Sequence, residues 1–106
     1  MNLERKLELI RLYDLYSNLL TPKQKEVVSL YLVQDVGYSE IAQILGISRQ
    51  AVYDLFSVAQ KALYDAEKTI GFDAFKVELK KDLTKISNIA DNTKRKIELQ
   101  KVISNL

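Results

Sequence analysis

YSEIAQILGISRQAVYDL, running from Tyr38 to Leu55, decides the fold. It reads as a short helix, a glycine turn and a second helix. Ala42 is small where a crossing helix needs room, and Gly46 permits a turn that a side chain would strain. Ile41, Leu45, Ile47, Val52 and Leu55 are spaced to hold the two helices at a fixed angle. Ser48 suits the cap of the second helix, whose exposed first N–H groups can meet a phosphate. A helix-turn-helix of this kind presents its second helix to the major groove of DNA.

With Val52 and Leu55 turned inward, Arg49, Gln50, Tyr53 and Ser57 project outward near the start of that helix. Arg49 is suited to guanine and Gln50 to adenine, while Tyr53 can meet a thymine methyl or a phosphate. Lys61 lies farther along, where backbone contact is expected. Asp54 opposes phosphate unless it accepts from a cytosine amine or pairs with a nearby cation. Each residue also has an ordinary reading: solvated surface for Arg49 and Gln50, and a partly packed aromatic for Tyr53.

Outward from this unit the pattern remains helical. The chain has one proline, three glycines and many Leu, Lys, Glu and Ala residues, which favours an all-α protein. Leu9, Leu12, Tyr13, Tyr16 and Leu19, with Leu3, Leu7 and Ile10 beside them, predict a first helix over 3–19. Thr21-Pro22-Lys23-Gln24 predicts a capping box with proline at the first helical position, opening a helix to about Val33. Gly37 marks the break, and Ser39 is the expected cap of the helix before Gly46. The helix after Ser48 is expected to reach Ile70 and stop at Gly71. Asp73 is the expected cap of a fifth helix with Phe75, Leu79, Leu83 and Ile86 in register. A polar break at 88–92 precedes a last helix carrying Ile97, Leu99, Val102, Ile103 and Leu106. The organisation is thus a helical domain over 1–70, with the helix-turn-helix at 38–61 and no wing. A helical extension over 71–106 packs on it or on a partner, and a homodimer would suit a two-fold operator.

Composition narrows the chemistry. Of 106 residues 47% are hydrophobic, enough for a folded core. No apolar run approaches the roughly 20 residues that span a membrane, and the N-terminus lacks the form of a signal peptide, so a cytoplasmic protein without membrane partners is expected. There is no cysteine and no histidine, which removes thiolate metal sites, thiol nucleophiles and histidine bases. No catalytic residue, metal or cofactor is therefore expected. The net charge is +2, but it is unevenly spread. Residues 1–37 sum to zero, 38–71 to −1 and 72–106 to +3. Lys76, Lys80, Lys81, Lys94, Arg95 and Lys96 thus form a candidate surface for RNA or a protein partner.

Two resemblances follow from these motifs. Thr21-Pro22-Lys23-Gln24, Gly37-Tyr38-Ser39-Glu40-Ile41-Ala42 and Leu45-Gly46-Ile47-Ser48-Arg49-Gln50-Ala51-Val52 resemble region four of bacterial sigma factors, which recognises the promoter minus-thirty-five element. The sequence departs from sigma factors after Gln50, where Tyr53, Asp54, Phe56, Val58 and Gln60 replace several basic residues. Nearly the whole chain is more similar to the YlxM family of small bacterial helix-turn-helix proteins. Leu12-Tyr13-Asp14-Leu15-Tyr16, Leu19-Leu20-Thr21-Pro22-Lys23-Gln24, Tyr38-Ser39-Glu40-Ile41-Ala42 and Ser48-Arg49-Gln50-Ala51-Val52-Tyr53-Asp54 carry that likeness. The resemblance implies a cytosolic protein encoded beside the signal recognition particle genes, acting in that pathway. Two functions are then expected to compete. One is a DNA-binding transcription regulator that reads double-stranded DNA. The other is an interaction module for the particle's protein, receptor or RNA.

Overall fold

The computed structural model describes all 106 residues. Six α-helices follow one another: α1 (Leu3–Tyr16), α2 (Pro22–Val28), α3 (Tyr38–Leu45), α4 (Arg49–Ile70), α5 (Phe72–Ser87) and α6 (Asn92–Ser104). None is long and apolar enough to cross a membrane. The chain divides into two compact units, Met1–Gly71 and Phe72–Leu106.

In the first unit α4 is the spine against which α1, α2 and α3 pack. Its inward stripe, Val52, Phe56, Ala59, Leu63 and Ala66, follows the 3–4 spacing of one helix face. Leu9 and Leu12 of α1, Val27 and Val28 of α2, and Ile41 of α3 complete a core with no measurable exposure. Each such aliphatic side chain contributes about 1.5–3 kcal/mol on burial. At the far end of the spine the Tyr16 hydroxyl donates to Glu67 Oε1 over 2.7 Å.

The local signals act where the sequence places them, with three shifts. Thr21 accepts from the Gln24 N–H while the Gln24 side chain accepts from the Thr21 N–H, completing the capping box behind Pro22. α1, expected to reach Leu19, stops at Tyr16 and tightens into a 3₁₀ turn over Ser17–Leu19. That turn advances three residues per revolution rather than 3.6, so Leu20 enters the core while Leu19 turns to solvent. α2 continues as a π-helical turn over Ser29–Val33. The left-handed residue of the following break is Asp35, with φ 58°. Aspartate is among the few side chains that tolerate this conformation, and Lys6 pairs with its carboxylate at 3.0 Å. Gly37 is extended and occupies the cap position of α3. α3 therefore begins at Tyr38, and Ser39 lies inside it rather than capping it.

The second unit is a helical hairpin of α5 and α6. Asp91 caps α6 by accepting from the Lys94 N–H. Asp73, expected as a cap, lies inside the first turn of α5 and is buried. The inward register expected for α5 is only partly realised. Ile86 is buried, but Phe75 and Leu83 are exposed. On α6 Val102 is half-buried, while Ile97, Leu99, Ile103 and Leu106 are exposed. Two helices alone have no third layer to cover both sides of an apolar stripe.

Candidate nucleic-acid interface

The junction between α3 and α4 is built by three backbone events. Gly46 takes a left-handed conformation (φ 65°, ψ 35°) and ends α3. The Ile47 N–H then donates back to the Ala42 carbonyl at 3.1 Å. Ser48 is extended, and its Oγ accepts from the Ala51 N–H at 3.0 Å, opening α4. Ile41 and Ala42 from α3 and Val52 from α4 are buried at the crossing.

This geometry turns Arg49, Gln50, Tyr53 and Asp54 outward on the first turns of α4, all exposed. Ser57 is half-buried beside them, and Lys61 is exposed one turn farther on. Gln50, Tyr53, Asp54, Ser57 and Lys61 thus share the side of α4 away from the Val52–Phe56–Ala59 face, with Arg49 at its N-terminal edge. Lys61 sits 3.8 Å from Asp65, a surface pair that contributes little energetically.

Two features shape this face, one within α4 and one across three segments. First, Asp54 is paired: the Gln50 Nε2 donates to its Oδ1 at 2.9 Å. The carboxylate thereby fixes which way the Gln50 amide points, leaving the Gln50 carbonyl oxygen and one amide hydrogen for a ligand. Second, Tyr53 is buttressed. Its ring meets Tyr38 edge-on at 6.1 Å, and Tyr38 stacks on Tyr31 at 4.6 Å. Tyr31 in turn meets Phe56 edge-on at 4.8 Å, which ties the row to the core. Burial and the neighbouring Tyr31 push the Tyr38 hydroxyl pKa up to about 12. Tyr31 precedes the helix-turn-helix while Tyr38 and Tyr53 lie within it, and no local spacing links the three.

The second candidate surface does not stay together as one patch. Lys76 and Lys80 share one side of α5, four residues apart. Lys81 turns away from them and pairs with Glu78 at 3.5 Å. Lys94 lines a groove between α5 and α6 that also holds Glu78, Asp82, Lys85 and Glu98. Arg95 is half-buried, and its guanidinium donates to the Asn92 side chain. Lys96 is exposed on α6.

A glycine-turned helix pair with a capped, outward-facing second helix in an all-α chain defines a helix-turn-helix protein. Residues 3–106 match the UPF0122 family, described as "Putative helix-turn-helix protein, YlxM / p13 like". The chain belongs to this family. A UPF0122 protein of Clostridium perfringens is 35% identical, over 96% of this chain and 99% of its own length. One from Fusobacterium nucleatum is 37% identical over 100% of this chain and 99% of its own. One from Mycoplasma capricolum is 46% identical over 64% of this chain and 60% of its own. The family is described by its helix-turn-helix and not by a catalytic activity.

Proposed function

We propose that this protein is a cytoplasmic DNA-binding regulator that reads double-stranded DNA with the first turns of α4. The observation that carries this reading is the outward row of Arg49, Gln50 and Tyr53 on a helix whose capped N-terminus is open to solvent. Arg49 reads a guanine edge and Gln50 an adenine edge, Tyr53 touches a thymine methyl or a phosphate, and Ser48, Ser57 and Lys61 position the backbone. Replacing Arg49 and Gln50 by alanine is expected to weaken binding to a selected duplex, each lost bidentate contact being worth roughly 1–3 kcal/mol. Fluorescence anisotropy with selected and random duplexes checks it. Equal binding by the variant and the parent protein refutes the assignment.

A second reading, action in the signal recognition particle pathway, is supported by the likeness to YlxM proteins and by the positive excess after Gly71. Here the particle's RNA, protein or receptor is bound first through Lys76 and Lys80, which share one side of α5, with Lys81, Lys94, Arg95 and Lys96 as separate outlying contacts. Titrating particle RNA and random duplex at two salt concentrations separates the readings. RNA binding with a steeper salt dependence than duplex binding, lost on replacing Lys76 and Lys80, favours the second.

A further inference from the structure

We infer, resting on α4 as the helix that faces duplex DNA, that Gln50 and Asp54 read it as one unit. Asp54 restricts Gln50 to adenine over guanine and itself accepts from a cytosine amine. Asp54 thereby sets base preference, although its charge opposes the phosphates.

The chemistry of the pair fixes its orientation. A carboxylate only accepts, so the side of the Gln50 amide that meets Asp54 is its NH₂ group. Nε2 donates to Oδ1 at 2.9 Å between two exposed residues one helical turn apart. One amide hydrogen is consumed. One hydrogen and the carbonyl oxygen remain, a single donor beside a single acceptor. Adenine presents the complement in the major groove, an N7 acceptor beside the N6 amine. Guanine presents two acceptors, N7 and O6, and sets one of them against the Gln50 oxygen. An untethered glutamine can turn its amide over and offer both hydrogens to guanine. Asp54 removes that option.

No cation pairs with the carboxylate. Lys61, on the same side of α4, sits on Asp65 instead, at 3.8 Å. The partner of Asp54 is the neutral amide of Gln50. A carboxylate in the groove needs a donor, and at a major-groove base edge only the amines of adenine and cytosine supply one. Adenine sets its N7 acceptor beside the amine, whereas cytosine sets none, so the free lone pairs of Asp54 suit cytosine N4. One helical turn rises about 5.4 Å, and bases along one strand are about 3.4 Å apart. The adenine and the cytosine therefore fall one or two steps from each other.

Enrichment from a duplex library with a randomised centre gives the parent protein's site, and anisotropy with single-base variants of that site weighs each position. The expected site holds an adenine and a cytosine one or two steps apart. Changing that adenine to guanine, or that cytosine to thymine, should weaken binding roughly five- to hundredfold. In Asp54→Ala both preferences should fall to within about twofold. In Gln50→Ala the adenine preference should go and the cytosine preference stay. The double variant should resemble Asp54→Ala, because the adenine preference needs both residues. Both side chains are exposed, and circular dichroism should report unchanged helix content in each variant. An Asp54→Ala protein with the parent's base preferences overturns the inference and leaves duplex reading by α4 standing. So does a parent site without the adenine and cytosine. A parent protein that enriches no site at all refutes duplex reading itself, and the inference falls with it.

Discussion

Asp54 is the one acid on the first three turns of α4, and its two effects oppose each other. Its charge repels phosphate, while its hydrogen bond with Gln50 orients the amide that faces the groove. Asp54→Asn removes the charge and weakens the orientation. It is expected to raise affinity for random duplex up to about fivefold, the weight of one surface charge, while lowering the preference for the selected duplex. Parallel anisotropy titrations check both, and a rise in affinity with undiminished preference would show that Gln50 needs no orienting.

Tyr38 makes a second prediction at the same scale. Its hydroxyl holds its proton to about pH 12 in the folded protein, against 10.0 for an ordinary tyrosine. Below pH 10 both folded and unfolded chains are protonated there, and the contribution to stability is complete. As the pH climbs from 10 to 12 the unfolded chain ionises first, so stability falls across that window. The urea midpoint should therefore drop more steeply from pH 10 to 12 in the parent protein than in Tyr38→Phe. Absorbance of the tyrosinate at each pH identifies the group.

Among the elements, the α3–α4 junction has the most explicit local code. Gly46 is left-handed with open space where a Cβ would stand. Gly46→Ala therefore meets no neighbour, and its cost is conformational, about 1–2 kcal/mol. Ser48→Ala removes the cap of α4 and costs about 1 kcal/mol. Both follow from denaturant unfolding, and both changes leave Arg49 and Gln50 in place. Such signals are legible in sequence because they act between residues three or four apart: Thr21 with Gln24, Gly46 with Ala42, Ser48 with Ala51. The inward stripe of α4 is legible for the same reason. Phase between elements is not. The 3₁₀ turn at Ser17–Leu19 exchanges Leu19 for Leu20 in the core, and the π-helical turn at Ser29–Val33 leads into a break whose left-handed residue is Asp35. Both depend on how α1 and α2 must meet α4, which no local spacing states. Likewise the outward residues of the candidate site can be read from the spacing within α4. The Tyr31–Tyr38–Tyr53 row joins three segments and emerges only when they pack.

At the scale of the whole molecule the two units differ in how they are held. A fourteen-residue core stabilises the first, whereas Ile86 is the one buried apolar residue of the second. Leu12→Ala in that core is expected to lower stability by about 2–5 kcal/mol in denaturant unfolding. Hydrogen exchange should show slow amides along α1, α2 and the middle of α4, and faster ones along α5 and α6 in dilute solution.

The chain has six tyrosines and no tryptophan, so its ultraviolet emission comes from phenol rings. One of them, Tyr53, stands half-exposed at the end of a ring row that reaches Phe56 in the core. The row makes the candidate reading face an intrinsic optical reporter. Stacking or displacement of that outer ring by a ligand should change the emission of the unlabelled protein, and a Tyr53→Phe variant separates its signal from the other five.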